Sequence, residues 1–249
     1  LERRYLIIQG APGTGKTRLA KLVAQKMGSR TFFTQFHAET TYSDFIYGIK
    51  PNIKKEEIAY EEYDGIFTRA LKHAIESKEN TFLIIDEINR ANLSNVLGPI
   101  FYLFEYKQDT ANAFINITPS LQLDKLPDNF FVIATMNTAD RSLAVVDFAL
   151  RRRFAWYTLF PKLINTEYFF KDDFIKIKEI FEWYANSNEL PLQPGQGYFI
   201  STSEQEMKKR IRYELLPLIK EYLLEGFLKN AKEEFNDYFT SRINMSIFE

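Results

Sequence analysis

The residues whose types and spacing could do chemistry fall in three short stretches. The first, "GAPGTGKT" at residues 10–17, has the pattern G-x-x-x-x-G-K-[ST]. Gly10, Gly13 and Gly15 let the main chain fold back closely, so that successive N–H groups can face phosphate oxygens. Ala11, Pro12 and Thr14 complete the loop. A helix that starts behind it adds its positive end. In that setting Lys16 is expected to bridge the β- and γ-phosphates of a nucleoside triphosphate. The Thr17 hydroxyl would coordinate Mg2+, with Arg18 alongside.

The second stretch, "TFLIIDEINRAN" at residues 81–92, sets two acids directly after an apolar run. If that run is a strand of a parallel sheet, Asp86 and Glu87 lie at its carboxyl edge, beside the phosphate loop. Asp86 can hold Mg2+ through water, and Glu87 can polarise the water that attacks the γ-phosphate. Two successive acids point to hydrolysis rather than nucleotide storage. Arg90 has two readings, a contact with a neighbouring subunit or nucleotide, and a structural salt bridge.

The third stretch, "TMNTADRSLAVVDFALRRRFAW" at residues 135–156, is ambiguous by spacing alone. Asn137 and Asp140 stand where a guanine-reading Asn-Lys-x-Asp element would put its ends, but Thr138 replaces the lysine. The alternative makes Asn137 the polar tip of a strand, orienting the attacking water together with Glu87. Arg151, Arg152 and Arg153 follow a helix-like spacing of Leu143, Val146 and Leu150. They either favour a helix dipole or reach the γ-phosphate bound by a neighbouring subunit. The second reading predicts weak hydrolysis by the isolated chain and more on assembly.

These groups need elements to hold them. Five apolar runs predict strands at residues 5–9, 31–36, 81–85, 130–135 and 155–160. Most are continuous, as strands covered on both faces are. Helical spacing between them (Leu19, Leu22, Val23 and Met27, then Phe67, Leu71, Ala74 and Ile75) predicts an α/β fold, with a parallel five-stranded sheet flanked by helices. Residues 105–128 break the rhythm and read as a hairpin or loop insertion. Beyond Pro161 no strong strand run appears. Phe174, Ile177, Phe181 and Tyr184 mark one helix. Met207 to Tyr222 mark another, kinked at Pro217, and a third is expected around Asn230 to Phe239. The expected division is a nucleotide-binding domain at residues 1–161 and a small helical lid at residues 162–249.

Composition narrows the chemistry. With 249 residues, 45% hydrophobic content and 23 Phe, the chain can bury a sizeable core without covalent staples. It has no Cys, which excludes disulfides and thiolate metal sites, and fits a cytoplasmic location. Two histidines, His37 and His73, make a His-based metal site a poor expectation, and His37 reads as loop packing. A net charge of -1 argues against a broad basic nucleic-acid surface. No apolar run reaches membrane-spanning length. The chain opens at Leu1 on a strand-like run without Met, the expectation being an excised domain.

The constellation resembles the AAA+ motor domain of the McrB family, nucleotide-hydrolysing subunits of modification-dependent restriction systems. The matching segments are "GAPGTGKT", "QFHAETTYSDFIYGIKP", "YDGIF", "FLIIDEINRANLS" and "MNTADRSLAVVDFALRRRF", and more loosely "GQGYF" with "RYELLPLIKEYLL". The resemblance implies an AAA+ P-loop core with a helical lid, assembled into a ring, hexameric by expectation. It implies Mg2+ with GTP in preference to ATP, and a McrC-like nuclease partner that stimulates hydrolysis. DNA recognition would belong to a separate N-terminal domain that this chain lacks. Carried over, Glu87 and Asn137 are the hydrolytic residues and Arg152 and Arg153 act in trans. Asp140 and Arg141 couple the site to the partner. Two departures stand out: "GQGYF" lacks the family's histidine at its second position, and "FYLFEYKQ" diverges after the acidic strand. The alternative is a MoxR-like ATP-hydrolysing remodelling protein, which shares the phosphate loop and acids but normally lacks "NTADRSLA". A third reading is a non-catalytic module in which nucleotide drives assembly alone.

Of the remaining features, Lys208 to Arg210 read as a solvated helix face, the alternative being a sensor arginine that faces the nucleotide. Tyr168 to Phe170 and Phe181 to Tyr184 read as lid core.

Overall fold

The computed structural model describes residues 3–28, 30–52, 59–105, 114–139 and 148–248. Two compact units emerge, one of Leu1–Gln9 with Lys16–Thr158, the other of Gly10–Gly15 with Leu159–Glu249.

In chain order the first unit runs β1 (Tyr5–Gly10), α1 (Lys16–Lys26), β2 (Arg30–Gln35), α2 (Tyr42–Phe45), β3 (Tyr47–Asn52), β4 (Ala59–Asp64) and α3 (Ile66–Glu76). It continues through β5 (Thr81–Asp86), α4 (Leu93–Leu97), β6 (Ile115–Thr118), β7 (Leu121–Leu123), β8 (Phe130–Asn137), α5 (Phe148–Arg153) and β9 (Ala155–Thr158). All five predicted strands form, in the order β2-β5-β8-β1-β9, and the pairings β2–β5, β5–β8 and β1–β9 are parallel. Burial follows position. Central β5 and β8 are buried almost throughout, whereas edge β2 alternates toward solvent. A central strand is covered on both faces by helices, so it must be apolar on both. Here α1 packs on β5 and β8, and α3 on β2 and β5.

Behind the sheet, Phe36, Phe45, Phe67, Phe104 and Phe130 are each 1% exposed or less, and Phe36 with Phe45 and Phe67 with Phe130 meet edge to face. That geometry sets each ring's positive edge on its neighbour's negative face, and adds about 0.5–1.5 kcal/mol per pair beyond burial.

Two hairpins interrupt the alternation. The predicted insertion contains β6 paired antiparallel with β7, its register irregular between Asn116 and Thr118. The other, β3 with β4, was not foreseen. Its strands are polar and aromatic, and Ile49 and Tyr60 stand 64% and 71% exposed, so no core face is written into their pattern.

The second unit adds α6 (Lys171–Tyr184), α7 (Glu204–Arg210), α8 (Leu216–Leu224) and α9 (Lys232–Ile243). Phe174, Phe181, Phe199, Phe235 and Phe239 fill its interior. Phe169 is buried with them, whereas Tyr168 and Trp183 are 48% and 80% exposed, so the two aromatic stretches are core only in part. The expected kink at Pro217 takes another form. A π-helical turn, Ile211–Leu215, separates α7 from α8, and Pro217 sits in the first turn of α8. Proline lacks an N–H and its ring crowds the carbonyl four residues back; widening the preceding turn relieves both. Asp173, 6% exposed, accepts from the Tyr238 hydroxyl at 3.0 Å and from Arg242 Nε at 2.8 Å, and Arg242 also pairs with Glu204. This polar knot ties α6, α7 and α9. No described helix is long and apolar enough to cross a membrane.

Candidate active site

In the first unit the chemistry gathers at the carboxyl ends of the strands. The β2–β5 register sets Gln35 beside Asp86, and the β5–β8 register pairs Ile85 with Ala134, which puts Thr135 level with Asp86. Two hydroxyls converge on one carboxylate oxygen, Thr17 Oγ1 and Thr135 Oγ1 each donating to Asp86 Oδ1 at 2.6 Å. Thr17 stands in the first turn of α1, next to Lys16, which opens that helix. Arg18 is exposed.

Glu87 follows Asp86 in the left-handed region, at φ 53° and ψ 48°. For a residue with a Cβ that conformation costs about 1–3 kcal/mol and persists only where neighbours enforce it. A neighbour does hold it: the Glu87 N–H donates to Thr135 Oγ1 at 3.1 Å. The side chain is held as well. Gln35 Nε2 donates to Glu87 Oε2 at 3.2 Å, and Arg90 Nε lies 2.6 Å from the same oxygen. Arg90 thus makes a salt bridge within its own chain. Asn137 ends β8, and its Oδ1 is a buried acceptor with no hydrogen-bond partner among the described residues, as is Oδ1 of Asn89. A buried acceptor left without a partner costs about 1–3 kcal/mol, so such an atom is open to a water or a ligand.

The donors fit a magnesium ion. Thr17 Oγ1 and Asp86 Oδ1 are hard oxygens 2.6 Å apart. Mg2+ is held this way, by one or two protein oxygens with water and phosphate completing the shell. Among the described residues no cluster of three or more His, Asp or Glu offers a richer metal cage.

The arginines at the end of α5 have separate environments. Arg152 Nη2 and Arg153 Nη2 both donate to Glu105 Oε1, at 2.6 and 2.7 Å. The Arg152 side chain is 69% exposed, that of Arg153 only 12%, with its guanidinium over the Phe101 ring. Arg151 lies over Trp156, 5.1 Å from the ring centroid. Asp140 and Arg141 lie outside the described residues.

The second unit contains the phosphate loop itself. Gly13 and Gly15 adopt φ of 76° and 90°, where only glycine is at ease. Thr14 Oγ1 caps the loop by donating to Ala11 O at 2.9 Å. A Cβ on Gly10 would come within 2.4 Å of Leu159 O, so close passage of the chain demands this glycine. Against the loop runs the "GQGYF" segment. Gly195 N donates to Pro12 O and Gly197 N to Gly13 O, both at 2.8 Å. Gln196, 8% exposed, donates from Nε2 to Thr14 O at 2.8 Å and accepts from Lys162 N at 3.2 Å. Arg210 is not part of a solvated face. It donates to the carbonyls of Gly197 and Ile200 and pairs with Glu214 at 2.7 Å. The Glu214 carboxylate hydrogen-bonded to it raises the Arg210 pKa, and burial raises that of Tyr198.

Sequence reasoning located Lys16, Thr17, Asp86, Glu87 and Asn137, and the structure brings Thr17, Asp86 and Glu87 into one network through Thr135. It did not single out Thr135, Gln35 or Glu105, and it met Gln196 only as the residue standing in place of the family's histidine, without its partners. Thr135 also left a signal, standing two residues before Asn137 and so on the same face of its strand.

Residues 5–154 match the family described as the AAA domain, dynein-related subfamily. The chain is similar to the Type IV methyl-directed restriction enzyme EcoKMcrB subunit of Escherichia coli strain K12. The two are 33% identical over 92% of this chain and 56% of that protein. It is 32% identical to the Type II restriction enzyme BsuMI component YdiS of Bacillus subtilis strain 168, over 61% of this chain and 56% of that protein. A similarity to Midasin of Giardia intestinalis, 28% identical, covers 54% of this chain and 2% of that protein. The chain spans little more than half the length of the first two relatives.

Proposed function

The chain belongs to the AAA domain family, dynein-related subfamily, and from that premise we propose that it is a ring-forming nucleoside triphosphatase of a restriction system. It hydrolyses GTP in preference to ATP, works in the cytoplasm as a hexamer, and powers DNA translocation and cleavage by a McrC-like nuclease partner. DNA is recognised by a separate N-terminal domain. Residues 1–161 act as the nucleotide-binding domain and residues 162–249 as the lid.

The observation that carries the hydrolytic reading is the pair of hydroxyls on Asp86 beside a Glu87 held in a strained conformation. Both relatives named for restriction enzymes, at 33% and 32% identity, support the biological setting.

In this mechanism the main chain of residues 10–15 binds the phosphates and Lys16 spans the β- and γ-groups. Thr17 and Asp86 would hold Mg2+, which when bound supplies charge neutralisation on the phosphate oxygens. Glu87 accepts a proton from the attacking water. Asn137 Oδ1, unpaired among the described residues, accepts a hydrogen bond from the same water and so fixes its line of approach. Before that, Glu87 must leave Gln35 and Arg90. Arg152 enters the neighbouring subunit's site, where a guanidinium contributes on the order of 10³ in rate. Its 69% exposure supports that role; Arg153, packed on Phe101, holds the end of α5. Asp140 and Arg141 link the site to the partner.

The test is turnover of GTP and ATP side by side, with and without the protein encoded next to this one. GTP turnover that is slow alone and rises strongly with the partner is expected. Equal or better ATP turnover would sink the base preference and favour a remodelling ATPase, and the absence of any partner effect would sink the restriction role.

A further inference from the structure

The face of the phosphate loop opposite its anion-binding side is an ordered hydrogen-bonded seam. Three consecutive carbonyls, those of Pro12, Gly13 and Thr14, each receive one donor from residues 195–197: Gly195 N, Gly197 N and Gln196 Nε2, all at 2.8 Å. In a planar trans peptide the C=O and N–H point in opposite directions. Drawing the Pro12 and Thr14 carbonyls to one side therefore turns the N–H groups of Gly13 and Gly15 to the other. Those two N–H groups belong to the concave nest that holds an anion.

The approach is too close to be incidental. A Cβ on Gly195 would lie 2.2 Å from Gly13 C, and one on Gly197 would lie 2.7 Å from Gly13 O. From the loop side, a Cβ on Gly13 would lie 2.7 Å from the Tyr198 ring. Glycines on both strands of the seam are thus required by contact. Gln196 is itself oriented, its Oε1 accepting from Lys162 N at 3.2 Å, which fixes Nε2 as the end facing Thr14. Arg210, donating to Gly197 O and Ile200 O, anchors the far end of the turn.

We infer that Gln196, with the backbone of Gly195 and Gly197, is the positioning element of the phosphate site, setting the direction of the Gly13 and Gly15 N–H groups. This rests on the reading that residues 10–17 bind a phosphate chain. Gln196 touches no phosphate; it acts through the Thr14 carbonyl. Its influence must therefore be the same for any base and is felt in binding before chemistry.

The probe is inorganic tripolyphosphate with Mg2+, which has phosphates and no base, compared with GTP and ATP by calorimetric titration of the full chain. Gln196→Glu keeps the size and the acceptor for Lys162 N, but sets a carboxylate against the Thr14 carbonyl. It should weaken tripolyphosphate, GTP and ATP by one common factor, about tenfold or more, with turnover at saturation within about threefold of the parent. Gln196→His, which restores an N–H donor of similar reach, should recover most of that affinity. Gly195→Ala should weaken all three probes further; because its Cβ would clash with Gly13, its melting curve is taken first and Gln196→Glu decides. Unchanged tripolyphosphate affinity in Gln196→Glu would overturn the inference, as would a loss confined to one nucleotide. If the parent chain itself bound no tripolyphosphate, the phosphate-loop reading would fall, and the seam's role with it.

Discussion

Thr135→Val is the substitution whose consequences the structure specifies most fully. Thr135 is 1% exposed, so the nearly isosteric valine fits, and only the hydroxyl is lost. That hydroxyl donates to Asp86 Oδ1 at 2.6 Å and accepts from Glu87 N at 3.1 Å. A hydrogen bond to a carboxylate is worth about 1.5–3 kcal/mol, and a stranded N–H costs about 1–3 kcal/mol. Partial rewetting at the site offsets some of this, leaving a net loss of about 2–4 kcal/mol. For a unit of this size that lowers the melting temperature by about 4–16 °C. The functional effect should exceed the loss of folded protein. Without its N–H contact Glu87 can relax from φ 53° to an unstrained conformation, carrying its carboxylate away from the water. Thermal melting and steady-state turnover below the new melting point check both effects. Turnover should fall at least tenfold with KM within about threefold, a pattern of lost transition-state stabilisation, and Thr135→Ser should restore it. A Thr135→Val protein with parental melting and turnover would refute the claim that this hydroxyl organises the two acids.

Other outcomes follow from the same geometry. Arg152→Ala should leave stability within about 0.5 kcal/mol yet cut turnover of the assembled protein about 10³-fold, with partial recovery in rings mixed with Glu87→Gln subunits. If mixed rings stay dead, the arginine does not act in trans. Arg153→Ala, removing a 12% exposed side chain packed on Phe101, should destabilise by about 1–3 kcal/mol, read by urea unfolding. Arg90→Ala should raise the slow turnover of the unpartnered chain by freeing Glu87, and a fall would assign Arg90 to the reaction. Acid should loosen the second unit. The hydrogen bond from Arg242 lowers the Glu204 pKa in the fold. That contribution is present above the ordinary glutamate pKa and is lost as pH falls through the depressed folded value. The melting temperature of the second unit should therefore drop as pH goes from about 5 toward 3, with a shallower slope in Arg242→Gln.

The parts of the fold legible in the sequence are those whose signal is local. Leu83, Ile84 and Ile85, like Phe131 to Ala134, announce buried strands by their own composition, and the acids at 86 and 87 follow by adjacency. The glycine spacing at residues 10–15 encodes the loop because each glycine meets a backbone demand. The missed contacts span chain separations that no spacing encodes. Gln35 reaches Glu87 only because β2 pairs with β5 in one register. Glu105 lies 48 residues before Arg153, and Gln196 lies 182 residues after Thr14. The β3–β4 hairpin escaped notice for the opposite reason: its exposed faces bury little, so no apolar alternation betrays it.

Glu105 has a bearing on motion as well as on structure. One carboxylate oxygen serves two guanidinium groups, one nearly enclosed and one in water. When Arg152 swings away, Arg153 still neutralises the acid, so departure strands no bare charge. Only a solvent-facing ion pair is given up, worth about 0–1 kcal/mol. In the role proposed for it, the outer arginine would be an exchangeable counter-ion, parked on a shared acid and released at little electrostatic penalty when a more highly charged anion arrives.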